Sequence, residues 1–327
     1  MLTLFGAGAL ALVAAMALAD VAGYDALVRA VRKLEPEWLI GCFVAQLVSY
    51  LGYVLAVRDV ARVDDGPRLS LALTTRTVLA GFGVYAATHA AGGFAVDYWA
   101  LRRSGLKRDD AVRRVLALGA LEYAVLAPAA LVCALILLFE PGDGVQDAMT
   151  YPWLLVIPGF VAGAWVSSPK RAARFLQADA DRGLIRRWLV HSVAGICKLR
   201  ALALKPHRHG FGLAGVALYW AGDATCLWSA IQLFHARMSI PALVVAYATG
   251  YVLTRRSLPA GGAGVVEVLL TFALVWVGMP LAPALLGVVV YRAFNFWLPV
   301  VPALAVLPSL KRIGGQFRRA EERATGG

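Results

Sequence analysis

The chain has little charge for its length. Only 16% of its 327 residues are Asp, Glu, Lys or Arg, against about 25% in an average soluble domain, and 60% are hydrophobic. This composition excludes an ordinary soluble fold, and the long apolar runs predict helices that cross a membrane. No segment alternates polar and apolar residues as a half-buried strand does. We therefore expect an all-α polytopic membrane protein without a β domain.

Cysteine and histidine are also scarce. The four cysteines, Cys42, Cys133, Cys197 and Cys226, stand singly in or beside apolar runs and lack the CxxC spacing of metal ligands or redox pairs. The five histidines show no ligand spacing on one helix face. We expect no disulfide, no metal site and no cofactor.

Motifs for covalent chemistry are missing too. The sequence has no nucleophile elbow, no P-loop, no metal-ligand helix and no pair of catalytic carboxylates. We therefore expect no enzymatic activity and no catalytic residues. The net charge of +12 lies mostly in the loops. In a membrane protein this basicity is typical of cytoplasmic loops beside anionic lipid, and it predicts no nucleic-acid partner.

The most informative feature that is present is a break in an apolar stretch. Residues 257–267 read SLPAGGAGVVE, which places proline, small residues and an acid between two nearly uncharged runs. The second run has about ten residues, half of the roughly 20 that a helix needs to cross a bilayer. Irregular backbone at membrane depth survives only where protein or a water-filled cavity satisfies it. Residues 240–277 therefore predict a re-entrant hairpin around a polar site.

A region in the first half shows the same order of features. In both regions an apolar arm ends at a glycine pair, an acid follows, and a long span comes after a short connection. The glycine pairs lie 169 residues apart, and the starts of the long spans lie 173 residues apart. Since loop charge makes the two spans run in opposite directions, we predict inverted repeats, a plan common among secondary transporters. The matched residues are Gly92 and Gly261, Gly93 and Gly262, Asp97 and Glu267, and Ala111 and Ala284.

The domain organisation follows from these features. We expect a single membrane domain over residues 1–327, with about seven or eight transmembrane helices plus two re-entrant glycine-rich hairpins. By the positive-inside rule the basic loops and the C-terminus are cytoplasmic in a multi-pass cell-membrane protein. The expected parts are a first repeat at 40–139 with hairpin 69–97 and span 115–139, a basic amphipathic segment at 168–209, a second repeat at 211–310 with hairpin 240–277 and span 281–307, and a basic tail at 311–327.

Ionisable residues inside apolar segments form the candidate site. A charge at the bilayer centre costs about 2.5–3.5 kcal/mol on insertion scales, so such residues usually face a cavity, a partner or the interface. Arg292 lies too deep in its span to reach the surface easily, and we expect it to pair with Glu267. Asn295 shares its helix face. Arg255 and Arg256 either hold a phosphate beside the amides of the glycine turn or extend to the surface.

The first half offers a corresponding set. Asp97 lies near the position of Glu267, Glu122 takes that of Asn295, and Arg76 is their expected cationic partner. The alternative for Arg292 and Glu267 is an ion pair that only joins hairpin to helix. The candidate lipid-binding residues are Arg255, Arg256, Gly261, Gly262, Glu267, Arg292 and Asn295 in the second half, and Arg76, Gly92, Gly93, Asp97 and Glu122 in the first.

Several of these residues resemble a known family. The run LPAGGAGVVE at 258–267, then Gly278, Ala284 and Arg292 ahead of FWLP, is similar to the C-terminal signature of the lysylphosphatidylglycerol synthase transmembrane family. These flippase-like regions occur attached to aminoacyl-phosphatidylglycerol synthases and as stand-alone proteins. In the first half the family usually carries an acid–arginine pair where this chain has Leu118 and Gly119. That departure implies a weakened or retuned first-half site.

The resemblance implies movement of a polar or anionic lipid between leaflets, with substrates from aminoacyl-phosphatidylglycerol to polyprenyl or hopanoid-type lipids. It also implies a stand-alone membrane region that does not make aminoacyl lipid, because the soluble transferase domain has no counterpart here. The expected partners are membrane phospholipids, with a separate lipid-synthesis enzyme as a further candidate and no oligomeric state implied. The alternative function is a non-transporting scaffold for such an enzyme.

Overall fold

The computed structural model describes residues 2–87, 91–139, 147–177, 184–204, 206–252 and 262–303. Within these ranges the regular structure is helical throughout, which confirms the expected all-α structure. The tail at 311–327, Arg255, Arg256 and Gly261 lie outside the described residues. The helices are α1 Leu2–Ala22, α2 Tyr24–Arg32, α3 Glu37–Arg62, α4 Leu71–Ala87, α5 Ala91–Arg103, α6 Arg108–Phe139, α7 Asp147–Thr150, α8 Val156–Val166, α9 Pro169–Gln177, α10 Leu184–Leu204, α11 Pro206–Gln232, α12 Ile240–Tyr247, α13 Val265–Trp276 and α14 Leu281–Arg292.

Four helical segments in the described part of the chain are long and apolar enough to cross a membrane. A fifth span results if α1 and α2, which meet at an angle of 98°, are counted as one broken span. The helices of the second hairpin are apolar but shorter than a span. A helical membrane protein is thus confirmed, while the number of seven or eight spans stays a prediction. The four segments are Glu37–Asp65, Arg108–Phe139, Asp147–Val166 and Leu281–Ala303.

Helices α3 and α11 pack with their backbones in contact. A Cβ atom at Gly52 would lie 2.5 Å from the carbonyl oxygen of Gly215, and one at Gly222 would lie 2.6 Å from that of Ala45. Since rising numbers on α3 meet falling numbers on α11, the two helices run antiparallel. Small residues at a helix interface allow this close approach in membranes, where apolar burial contributes little to helix association. The pair forms the centre of the bundle, and both helices carry residues of the candidate site.

Replacing Gly52 by Ala is expected to lower the stability of the protein. The new methyl group would lie 2.5 Å from both the Gly215 oxygen and the Tyr219 nitrogen, which are backbone atoms and can move only with their helix. Overpacking of this kind typically costs about 1–3 kcal/mol. A lower midpoint of thermal unfolding in detergent would show the effect. The control is Gly159→Ala on α8, where the methyl group meets open space; equal losses in both variants would contradict the expectation.

Each predicted hairpin region contains two helices that pack side by side. Helices α4 and α5 contact each other, and α12 with the turn of π-helix after it packs on α13. The contact in the second pair is close, because a Cβ atom at Gly250 would lie 2.8 Å from the Cα of Leu270. Gly92 and Gly93 lie in the first turn of α5, so they begin a helix rather than interrupt one. Whether either pair is re-entrant stays a prediction.

The basic segment at 168–209 contains two different helices. Helix α9 is short, whereas α10 packs along α6 and buries one face against it. A Cβ atom at Gly195 would lie 3.2 Å from the Cβ of Leu116, so the two helices approach closely. One apolar face of α10 is therefore covered by protein, and the position of this basic amphipathic segment relative to the membrane stays a prediction. The buried residues of that face are Val190, Val193, Ala194 and Leu202.

Candidate functional site

A buried carboxylate on α11 stands at the centre of the candidate site. Asp223 is fully buried, and its Oδ1 accepts a hydrogen bond from the side-chain amide of Asn295 at 2.5 Å. Its Oδ2 accepts from the hydroxyl of Tyr291 at 2.8 Å and from that of Tyr247. A carboxylate tolerates burial when such donors replace the water it has lost. These bonds tie α11 to α12 and α14 in the middle of the bundle.

Two turns of π-helix bring these residues together. Residues Ala248–Val252 form one directly after α12, and Ala293–Trp297 form the other directly after α14. The hydroxyl of Tyr251, in the first turn, donates to Oδ1 of Asn295, in the second, at 2.9 Å. Turns of π-helix are rare and occur frequently at functional sites. We call Asp223, Tyr247, Tyr251, Tyr291 and Asn295 the Asp223 network.

The expected ion pair between Arg292 and Glu267 is confirmed. The Nε of Arg292 lies 2.8 Å from Oε1 of Glu267, and both residues are almost completely buried. The guanidinium carbon also lies 4.2 Å from the ring centroid of Phe296, a cation–π distance. Arg292 follows Tyr291 of the Asp223 network directly along the chain. The ion pair and the network therefore meet on the same stretch of α14.

The position of Glu267 is fixed by the start of α13. Gly264 is the N-cap residue with a φ of 85°, a conformation that favours glycine. Its N–H donates to Oε2 of Glu267 at 2.6 Å, which satisfies one of the amide groups left free at a helix start. The Glu267 carboxylate is attracted both by Arg292 and by the partial positive charge of the helix N-terminus. One carboxylate thus serves both the helix cap and the buried arginine.

The first half also buries its two predicted acids. The hydroxyl of Tyr53 lies 3.3 Å from Oδ2 of Asp97, a long hydrogen bond. Glu122 is fully buried in α6, and its backbone carbonyl oxygen accepts from the indole N–H of Trp220 at 2.8 Å. Leu118, one turn before Glu122, is buried and apolar. An apolar side chain therefore occupies this position of α6, and a weakened or retuned first-half site stays a prediction.

The prediction that Arg76 pairs with these acids is wrong. Its side chain is exposed on α4, and no ion pair joins it to Asp97 or Glu122 among the described residues. The cause is the helical register, because the neighbouring Thr74 and Thr77 take the inward face of α4. Each of those hydroxyls donates to the carbonyl oxygen four residues earlier, that of Ser70 just before α4 for Thr74 and that of Leu73 for Thr77.

A row of aromatic rings connects the two halves. Ring centroids are 5.1 Å apart for Tyr53 and Tyr219, 4.7 Å for Tyr219 and Trp220, and 6.1 Å for Trp220 and Tyr247. These separations suit the tilted and edge-to-face contacts that aromatic pairs prefer. The row begins at the partner of Asp97 and ends at a partner of Asp223. The two buried acids therefore belong to one continuous aromatic and polar region.

The sequence interpretation found part of this site. It brought together Glu267, Arg292 and Asn295, and it placed Gly262 in the turn before α13, where its φ is 69°. It missed Asp223 and the four tyrosines. A signal for Asp223 was present, because it is the single charged residue in residues 211–234. Tyr53 contacts Asp97, and Tyr247 and Tyr291 contact Asp223. Tyr251 contacts Asn295.

The chemistry of the site is that of polar recognition. It holds a cation, carboxylates, hydroxyls and an amide within an apolar bundle, which suits a ligand with charged and hydroxyl groups. All four cysteines lie in the described ranges and are free thiols. Within those ranges, no group of three or more His, Cys, Asp and Glu residues is placed to hold a metal ion.

Comparison with known families identifies the family of this chain. The family described as lysylphosphatidylglycerol synthase TM region matches residues 4–303, which include both predicted hairpin regions, the Asp223 network and the buried ion pair. No curated protein matches the chain. The resemblance noted at residues 258–267 therefore extends over nearly the whole sequence. The chain belongs to the lysylphosphatidylglycerol synthase TM region family.

Proposed function

We propose that this protein moves the polar or anionic head group of a lipid between membrane leaflets. Its family suggests a membrane lipid-related role. The observation that carries the proposal is the buried polar centre, in which the Arg292–Glu267 pair adjoins the Asp223 network. Ionisable residues inside membrane domains are costly to insert and usually mark the path of a polar substrate. Candidate substrates range from aminoacyl-phosphatidylglycerol to polyprenyl and hopanoid-type lipids.

Each part of a lipid head group has a counterpart in this centre. A phosphate would bind Arg292, since guanidinium groups match the geometry of phosphate oxygens. The partial positive charge at the N-terminus of α13 would attract the same phosphate. Arg255 and Arg256, which lie outside the described residues, would supply further phosphate contacts. An ammonium group, as in an aminoacyl lipid, would be attracted to Asp223. Tyrosine hydroxyls and Asn295 would exchange hydrogen bonds with glycerol hydroxyls.

We further propose that the halves are inverted repeats that give access to the two leaflets in turn. Helices α3 to α6 correspond in order to α11 to α14, and the starts of paired helices lie 169, 169, 174 and 173 residues apart. The antiparallel contact of α3 with α11 is the arrangement that a two-fold axis in the membrane plane requires. Basic loops then lie in the cytoplasm of a cell-membrane protein, as the positive-inside rule predicts.

Translocation in proteoliposomes tests the proposal. Labelled phosphatidylglycerol and aminoacyl-phosphatidylglycerol would be followed by the accessibility of their head groups to a membrane-impermeant quencher or amine reagent. Glu267→Gln and Arg292→Lys keep side chains of similar size but alter the buried pair. We expect each to slow translocation roughly tenfold or more, which corresponds to about 1.4 kcal/mol of barrier.

The controls are Glu37→Gln on α3 and Arg29→Ala on α2, two exposed residues outside the site, which should translocate at the wild-type rate. Normal rates in both site variants would remove the pair from the mechanism. Absence of translocation by the folded wild-type protein, together with its copurification with a lipid-synthesis enzyme, would favour the scaffold alternative.

A further inference from the structure

A lateral groove lies between α6, α8 and α10, away from the Asp223 network. Its volume is about 620 Å³, within the range of roughly 300–1,000 Å³ usual for ligand sites. Its walls are mostly apolar and include Tyr123, Phe160, Ile196 and Leu199. Helix α8 contains no buried residue, so it stands off the bundle and leaves the groove open at the side. Since α6 and α8 belong to candidate membrane spans, such an opening would face lipid.

One end of the groove is positively charged. Arg200 lines it and donates from Nη1 to the carbonyl oxygen of Ala164 at 3.3 Å. Arg171 donates to the carbonyl oxygen of Trp165 at 3.4 Å and lies 4.1 Å from the centroid of its ring. Both arginines are thus held at the C-terminal end of α8, where cations are favoured by the helix dipole. In these two contacts the arginines donate to backbone carbonyl oxygens and not to a carboxylate.

The length of the groove matches one leaflet. Along α8 its lining runs from Val156 to Ser167. At 1.5 Å per residue this distance is about 16 Å, close to half of the roughly 30 Å hydrocarbon core. An acyl chain that lay along the groove would extend from the bilayer midplane to the head-group level, where the arginines lie.

We propose that this groove is a binding site for a glycerophospholipid with an anionic head group. One acyl chain lies along α8 between Phe160 and Leu199, and the phosphate contacts Arg200 and Arg171. The apolar wall explains chain binding, and the two cations at one end explain the preference for an anion. This site does not depend on the proposed translocation, because it uses other helices and an opening of its own.

Filling the groove tests the proposal. Gly163 lines the groove, and a Cβ atom built there meets nothing within 4 Å, so Gly163→Leu begins a larger apolar side chain in open space. We expect purified wild-type protein to retain phosphatidylglycerol in native mass spectrometry and to prefer it over phosphatidylcholine. Gly163→Leu should weaken that binding about tenfold or more. The matched control is Gly6→Leu on α1, another helical glycine that faces open space, and it should bind as wild type.

Variants of Arg200 distinguish binding of the acyl chain from recognition of the head group. Arg200→Gln should still bind lipid but lose the preference for phosphatidylglycerol, whereas Arg200→Lys should keep most of it. Undiminished phosphatidylglycerol binding by Gly163→Leu would overturn the proposal, as would equal binding of the two lipids by wild type. Loss of a dimer rather than of lipid in Gly163→Leu would assign the groove to a second copy of the chain, and it too would overturn the lipid site.

Discussion

Glu267→Ala is expected to lower the free energy of unfolding by about 3–5 kcal/mol, because it leaves the charge of Arg292 buried without its partner. The two side chains are 2.8 Å apart, and the Arg292 side chain is only 2% exposed. Arg292→Met should be costly for the same reason, since it strands the carboxylate of Glu267. The double variant removes both charges and should cost clearly less than the sum of the two single losses. Unfolding by denaturant in detergent, arranged as a double-mutant cycle, measures the difference.

An exposed pair of residues provides the control cycle. Glu37→Ala and Arg29→Met alter the same residue types on the surface of α3 and α2. Their losses should be small and should add within about 0.3–0.5 kcal/mol, as expected for independent sites. Additive losses at Glu267 and Arg292 as well would show that the two charges are not coupled.

The ion pair could be predicted from the sequence because few arrangements satisfy two deep charges. Arg292 lies far inside an apolar span, and the nearest acid of the second hairpin is Glu267. A buried charge needs a partner, and the helix start at Gly264 supplies a second reason for an acid at that position. The helical fold was equally predictable, since a chain with so little charge and long apolar runs has few alternatives in lipid.

The Asp223 network could not be derived in the same way. Its members come from three helices, and helical periodicity does not tell which helices are neighbours. The π-helical turns add a further change of register, because the extra residue in each turn shifts the side chains that follow. Tyr251 and Asn295 meet as a result. The prediction for Arg76 was wrong for a related reason: the sequence showed a cation on the first apolar arm but not that its side of α4 is exposed.

Asp223→Ala is the single change with the largest expected effect on stability. It takes the acceptor from the hydroxyls of Tyr247 and Tyr291 and from the amide of Asn295. A buried donor left without an acceptor costs about 1–3 kcal/mol, so the three together should cost several kcal/mol. We expect a strongly lowered thermal midpoint in detergent, or no folded protein at all. Tyr291→Phe removes a single one of these bonds and should cost much less.

Asp223→Asn distinguishes the role of the negative charge of this residue from its role as a hydrogen-bond acceptor in the fold. The amide has nearly the same shape and one oxygen that can still accept from Tyr247 or Tyr291, so most of the fold should survive. If the buried negative charge takes part in moving lipid head groups, translocation should fall far more than the thermal midpoint does. Asp25→Asn, on the exposed surface of α2, should change neither quantity. A folded Asp223→Asn protein that translocates lipid at the wild-type rate would leave Asp223 a purely structural acceptor, and the transport path would then have to be sought at Arg292 and Glu267 alone.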